Sequence, residues 1–340
     1  MSLEDKEENI NEKASNFLLN WVTTVNPQTL VEVASEINEF LKESIPNAVK
    51  EFNFLLTARS NSEANEIVSQ CLKESKNKNE VRDGGKNEFY QEDTFLNYSN
   101  DQLAENLTLL EFELFRRISY EQLVSLKYPQ CSADIVEFAN HFNVISQWVT
   151  TEILVAIDEG RMEVVKKFIK FGMKLYKLNN FNGCMEVLCG ITNSYLQRVK
   201  KVWDNISAKY LEKIKFMEEQ LSPLRNFRTY RESFALSLRN TSVVPYLAAH
   251  IKDILIAEEG NPTKLEGNLL NYKKLILIGN ISMDILDAQK IPFQHMQPDM
   301  NLLKYFRNLW WLEDDDLNIY SNILAAKKLN SSSTNSSTCI

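Results

Sequence analysis

The sequence predicts an all-α protein, and three observations carry that expectation. Apolar residues recur at spacings of three and four, as on the buried face of a helix. Only nine glycines and eight prolines occur in 340 residues, which leaves little material for turns. No segment shows a convincing apolar–polar alternation of the kind a half-buried strand requires. The architecture expected is a multi-helix domain with a protruding helical hairpin, preceded by a small helical bundle.

Residues 1–75 form the expected N-terminal helical region. Its first dozen residues are charged. Phe17, Leu18, Trp21 and Val22, then Leu30, Val33, Ile37 and Leu41, lie at helical spacing, and Pro27 and Pro46 punctuate them. Residues 76–97 are charged and contain Gly84-Gly85, which reads as a linker. A larger domain follows over 98–328. Leu103, Leu107, Leu110 and Leu114 make its first strong stripe. Further helices are expected over 134–159, 162–178, 184–196, 211–221, 226–238, 300–311 and 314–327. Residues 329–340 form a Ser/Asn/Thr-rich tail expected to be disordered.

The hairpin is read from residues 241–262. Thr241 or Ser242 serves as N-cap, with Pro245 in the first turn, where a missing N–H costs nothing. Gly260 is placed to take a left-handed position after the helix, and Pro262 to prevent continuation. A second helix, over 265–288, returns. Ile254, Leu255 and Ile256 cover more than one face at the tip, followed by Glu258 and Glu259 at the negative end of the helix dipole. Without further context, Val244, Ala248, Ile251 and Leu255 also fit an ordinary core stripe with solvated glutamates beyond it.

Composition limits the chemistry. A net charge of −8 argues against nucleic acid or an anionic membrane as main partner. No apolar run approaches the ~18 residues of a membrane span. The acidic, polar opening predicts no signal peptide. Five cysteines without a paired pattern fit reduced thiols in a cytosolic protein, and Cys339 is misplaced for prenylation. His141, His250 and His295 have no metal-motif spacing, so no metal and no cofactor are expected. Phosphate-binding loops and nucleophile elbows are absent from the sequence. A hydrolase built on Glu258 and Glu259 lacks a supporting base, nucleophile or metal. The residues alone point to a protein-binding module more than to a covalent catalyst.

Five ordered blocks together resemble the catalytic domain of Ras-family guanine-nucleotide exchange factors. They are LAENLTLLEFELFRRI from residue 103, FNVISQWVTTEIL from 142, LNNFNG from 178, NFRTYRE from 226, and Val244-Pro245 through EEGNP at 258–262 with Leu270-Asn271-Tyr272. Residues 16–25, NFLLNWVTTV, weakly resemble the later part of the Ras exchanger motif.

The resemblance implies a partner of the Ras subfamily of small GTPases, bound through a nucleotide-free intermediate. Leu255 and Glu259 at the hairpin tip would displace Mg²⁺ and phosphate, with no covalent chemistry. Tyr246, Lys252, Asp253, Glu258 and Asn261 would face the GTPase, and Asn179 would support the hairpin base. The protein would be cytoplasmic, acting at membranes that hold a lipidated GTPase, without inserting itself. Two departures from the family pattern stand out. Lys273-Lys274 is followed by Leu275-Ile276-Leu277-Ile278 in place of a longer basic run, and position 140, basic in some members, is Asn140. They leave open a non-catalytic scaffold that binds a GTPase without ejecting nucleotide.

Overall fold

The stripe Leu103, Leu107, Leu110 and Leu114 is almost fully buried, each residue exposing 1% of its surface or less. It belongs to the second helix of a computed structural model that describes residues 94–126, 131–239 and 241–333. The helices expected within 1–75, the linker up to residue 93 and the end of the tail lie outside the described residues. Among the described residues the fold is all-α, with only two isolated β-bridges.

The helices, in order, are α1 (Thr94–Asn97), α2 (Asn100–Phe115), α3 (Tyr120–Val124), α4 (Ala133–Asp158), α5 (Met162–Lys177), α6 (Phe181–Ile191), α7 (Ser194–Gln197) and α8 (Lys200–Asp204). There follow α9 (Ala208–Gln220), α10 (Leu224–Ser237), α11 (Leu247–Gly260), α12 (Tyr272–Ala288), α13 (Met300–Arg307) and α14 (Asp314–Ser333). Ser99 opens α2 and Ser119 opens α3, each in a reciprocal capping box with the glutamine three residues on. The same signature at both starts shows why these short polar segments nucleate helices.

The core is built around α4. Trp148 is fully buried and meets Phe95 at 5.4 Å, Phe168 at 5.0 Å and Phe306 at 6.0 Å, all edge to face. Such pairs add about 0.5–1.5 kcal/mol each beyond their buried area. Where α6 crosses α4 the backbones nearly touch. A Cβ on Gly190 would lie 2.6 Å from Val149 Cβ and 2.8 Å from the Ser146 carbonyl oxygen. Thr150 Oγ1 donates to the Gly190 carbonyl across this crossing at 3.1 Å.

Several expected boundaries move. The linker was expected to reach residue 97, but Phe95 stacks on Phe168 at 4.1 Å, so the domain includes α1. The helix expected over 184–196 begins earlier, at Phe181, because Asn180 accepts from the Gly183 N–H. It stops at Ile191, and Asn193 caps a separate short turn. The last helix runs on to Ser333, into the expected tail. The helix expected over 300–311 ends at Arg307.

Candidate functional site

The hairpin consists of α11 and α12 joined by residues 261–271. Its entry differs from the sequence expectation. Thr241 and Ser242 do not cap α11; residues 241–246 run non-helically first, and Tyr246 takes the cap position. Val244 pairs with the end of α5 as in a one-rung parallel ladder. Its N–H donates to the Asn179 carbonyl at 3.1 Å, and its carbonyl accepts from the Phe181 N–H at 3.0 Å. Asn179 has φ +56°, a left-handed conformation that asparagine tolerates better than most residues. Its side-chain amide donates to Thr241 Oγ1 at 3.2 Å and to the Ser242 carbonyl at 3.4 Å. The other leg is tied down as well. Ser242 Oγ donates to the Pro292 carbonyl, and Gln289 Nε2 donates to the carbonyls of Phe115 and Ile118.

Above the root, α10 braces α11. Arg225, Asn226 and Phe227 are successive left-handed residues, at a cost of roughly 1–2 kcal/mol each. Arg231 holds this reversed turn and the hairpin together. Its Nε donates to the Asn226 carbonyl at 2.7 Å, and its Nη2 pairs with Asp253 Oδ2 at 2.7 Å. Asn226 Nδ2 donates to the other Asp253 oxygen at 3.3 Å. Beside this latch the Tyr230 hydroxyl and His250 Nε2 are 2.8 Å apart in the interior. Burial, then the nearby Arg231, pushes His250 down to about 3, so the imidazole is neutral.

At the tip the helix does not end on a left-handed glycine as expected. Gly260 is helical, Asn261 is extended, and Asn261 Nδ2 caps the Ala257 carbonyl at 3.0 Å. The positive-φ residues are Gly267 and Asn268, further along. Consequently α12 begins at Tyr272, seven residues later than expected, with Asn271 as its cap. The buried stripe of α12 is narrow: Lys274, Ile278, Ser282, Ile285 and Ala288. The rest of its early surface is open, with Tyr272 71% exposed and Leu275, Ile276 and Leu277 each between 44% and 49%.

Lys274 is the residue the sequence reading missed. It is buried, and its ammonium meets Glu258 Oε1 at 3.0 Å, the Glu258 carbonyl at 2.9 Å and Thr263 Oγ1 at 3.0 Å. A cation at the carbonyl end of α11 also offsets the helix dipole that makes a glutamate costly there.

The proposed contact residues therefore separate into two groups. Glu258 and Asn261 spend their side chains inside the hairpin, and Asp253 spends its own on Arg231 and Asn226 of α10. Tyr246 is half-buried among Phe142, Phe227 and Tyr230. Leu255 is half-buried, while Ile256, Lys252 and Glu259 are exposed. Glu259 makes no ion pair with another described residue, so the tip presents apolar side chains beside one free carboxylate.

The family model described as "RasGEF domain" matches residues 102–276, from α2 through the hairpin tip into α12. The chain belongs to the RasGEF family. Its similarity extends to named RasGEF proteins. It is 29% identical over 240 residues to "Ras guanine nucleotide exchange factor M" of Dictyostelium discoideum, covering 68% of this chain and 26% of that protein. It is 32% identical over 220 residues to "RAS guanyl-releasing protein 1" of Xenopus laevis, covering 63% and 28%. With "Ras-specific guanine nucleotide-releasing factor 1" of Mus musculus it shares 27% identity over 342 residues, covering 96% and 26%. This RasGEF chain thus spans about a quarter of the length of these relatives. No helix among its described residues is long and apolar enough to cross a membrane.

Proposed function

We propose that this chain is a guanine-nucleotide exchange factor for a Ras-like small GTPase, and that the hairpin tip ejects the nucleotide. The observation that carries the reading is the exposed carboxylate of Glu259 beside Leu255 and Ile256, on a helix whose neighbouring acids Asp253 and Glu258 are held by Arg231 and Lys274. Leu255 places an apolar group where Mg²⁺ requires oxygen ligands and water, which disfavours the ion. Glu259 brings a negative charge toward the phosphates and competes for the groups that bind them. No bond of the nucleotide breaks. Exchange factor and nucleotide weaken each other's binding reciprocally through a nucleotide-free complex. Release and loading are therefore both accelerated, and the cellular excess of GTP sets the direction. The protein works in the cytoplasm at membranes where its lipidated partner resides.

The exposed Leu275, Ile276 and Leu277 favour a second reading, in which this face binds a GTPase without exchange. Release of a fluorescent GDP analogue from Ras, Rap, Ral and Rab-type GTPases separates the two. Strong acceleration for one member supports exchange and names the partner. Binding in a pull-down without acceleration of any member replaces exchange with the scaffold reading.

A further inference from the structure

Behind the hairpin root, three titratable side chains meet that the hairpin does not use. Glu111 of α2, His141 of α4 and Glu186 of α6 are all buried, the two glutamates completely. One ligand-type atom from each lies within 4.8 Å of the others. Two atoms in the group have no hydrogen-bond partner: Nε2 of His141 and Oε2 of Glu186. Buried polar atoms are nearly always satisfied, so a pair of orphans in one place calls for an occupant.

We propose that Glu111, His141 and Glu186 bind one divalent cation of the zinc class. The charges favour it. Two carboxylates in a closed interior would carry two negative charges, and no lysine or arginine is among the groups acting on either. A single divalent ion neutralises both. The donor set favours it as well. One imidazole nitrogen with two carboxylate oxygens suits zinc, at about 2.0–2.2 Å from each donor, with a water as fourth ligand. Calcium would demand six or more oxygens.

The surroundings orient the carboxylates as an outer shell does. Asn180 Nδ2 donates to Glu111 Oε2 at 2.5 Å. Asn182 Nδ2 donates to Glu111 Oε1 at 2.6 Å and to Glu186 Oε1 at 2.8 Å. The Asn180 amide is itself fixed, because its Oδ1 accepts from the Gly183 N–H at 2.8 Å. Each carboxylate oxygen retains a second lone pair for a metal. The ion would pin three helices together directly beneath the hairpin, because Asn180 is also the residue bridged to Val244. The linear spacing of the histidines hides this site, since its ligands come from three separate helices.

The competing occupant is a proton shared between the two carboxyls together with one water, and burial raises both groups in that direction. Metal analysis separates the two. The whole chain is expressed with zinc in the medium, purified without chelator, and its metal content measured. The expected result is close to one zinc per chain. Removal by dipicolinate should lower the melting temperature by several degrees, and added Zn²⁺ should restore it. Glu186→Gln, which keeps the shape of the side chain, should bind at least ten-fold less zinc while remaining helical. His141→Ala should do the same. Negligible metal in the purified wild type, with no change in melting when Zn²⁺ or Mn²⁺ is added, would overturn the proposal. So would zinc retained equally by wild type and Glu186→Gln, since the metal would then be bound elsewhere. None of these readouts depends on nucleotide exchange.

Discussion

The ammonium of Lys274 lies 3.0 Å from Glu258 Oε1 and 2.9 Å from the Glu258 carbonyl oxygen, joining the two legs of the hairpin at the tip. Lys274 is the buried partner, so its removal leaves orphaned acceptors. Lys274→Met should destabilise the tip by about 1–3 kcal/mol. Hydrogen exchange of the amides over 256–263 should quicken by roughly ten-fold or more, while amides of α4 stay protected. Unchanged protection at the tip would show that the pair does not hold the two legs together.

Leu255→Ala and Glu259→Ala should each slow GDP release from the partner GTPase by roughly ten-fold, a loss of about 1.4 kcal/mol of transition-state stabilisation. Helix content and melting temperature should stay near wild type, because neither residue belongs to the buried stripe of α11. The measurement is the release rate at saturating exchange factor. A double variant as active as wild type would remove both residues from the proposed mechanism.

Asn179 contributes a backbone conformation and two side-chain donors, and two substitutions separate them. Asn179→Gly keeps the left-handed backbone and loses the amide. Asn179→Ala loses both and should be less stable than Asn179→Gly by about 1 kcal/mol. Thermal melting compares them. Equal stabilities would mean that the positive φ of +56° is not a constraint on this position.

His250 supplies a pH dependence of known sign. Its folded value is pushed from 6.5 down to about 3, so the unfolded chain takes up a proton that the folded chain refuses. The resulting stability is present above pH 6.5 and is lost as pH falls toward 3. The slope from this residue is about 1.4 kcal/mol per pH unit. His250→Gln keeps an acceptor beside the Tyr230 hydroxyl and removes the titration. Chemical denaturation at pH 6.5, 5.5 and 4.5 should therefore show wild type losing stability faster than the variant by that amount. Parallel slopes would mean that His250 becomes protonated without unfolding.

Helices whose apolar residues fall on one stripe were readable without coordinates, and Leu103 through Leu114 show it. So was the existence of the hairpin, from Pro245, the apolar tip and the Gly-Asn-Pro turn. The start of α12 was not readable. Leu265, Leu269 and Leu270 continue a helical pattern, yet they are exposed, and Gly267 and Asn268 break the backbone between them. Periodicity registers apolar residues and cannot tell whether anything lies opposite them. The partners of charged residues were hidden for a related reason. Nothing in the linear sequence places Arg231 beside Asp253 or Lys274 beside Glu258, 22 and 16 positions away in the chain. Glu111, His141 and Glu186 are an extreme case, because only the crossing of three helices brings them together.

The Arg231–Asp253 latch has a mechanical consequence. α11 runs from Leu247 to Gly260, about 21 Å at 1.5 Å per residue. Clamped only at its root, it would be a cantilever of that full length. Clamped again at Asp253, it has about 10 Å beyond the latch, and Lys274 fastens that stretch to α12 at Glu258. A load at the tip would therefore be shared by three helices, passing to α10 through Asp253 and to α12 through Glu258 as well as along α11 to its root.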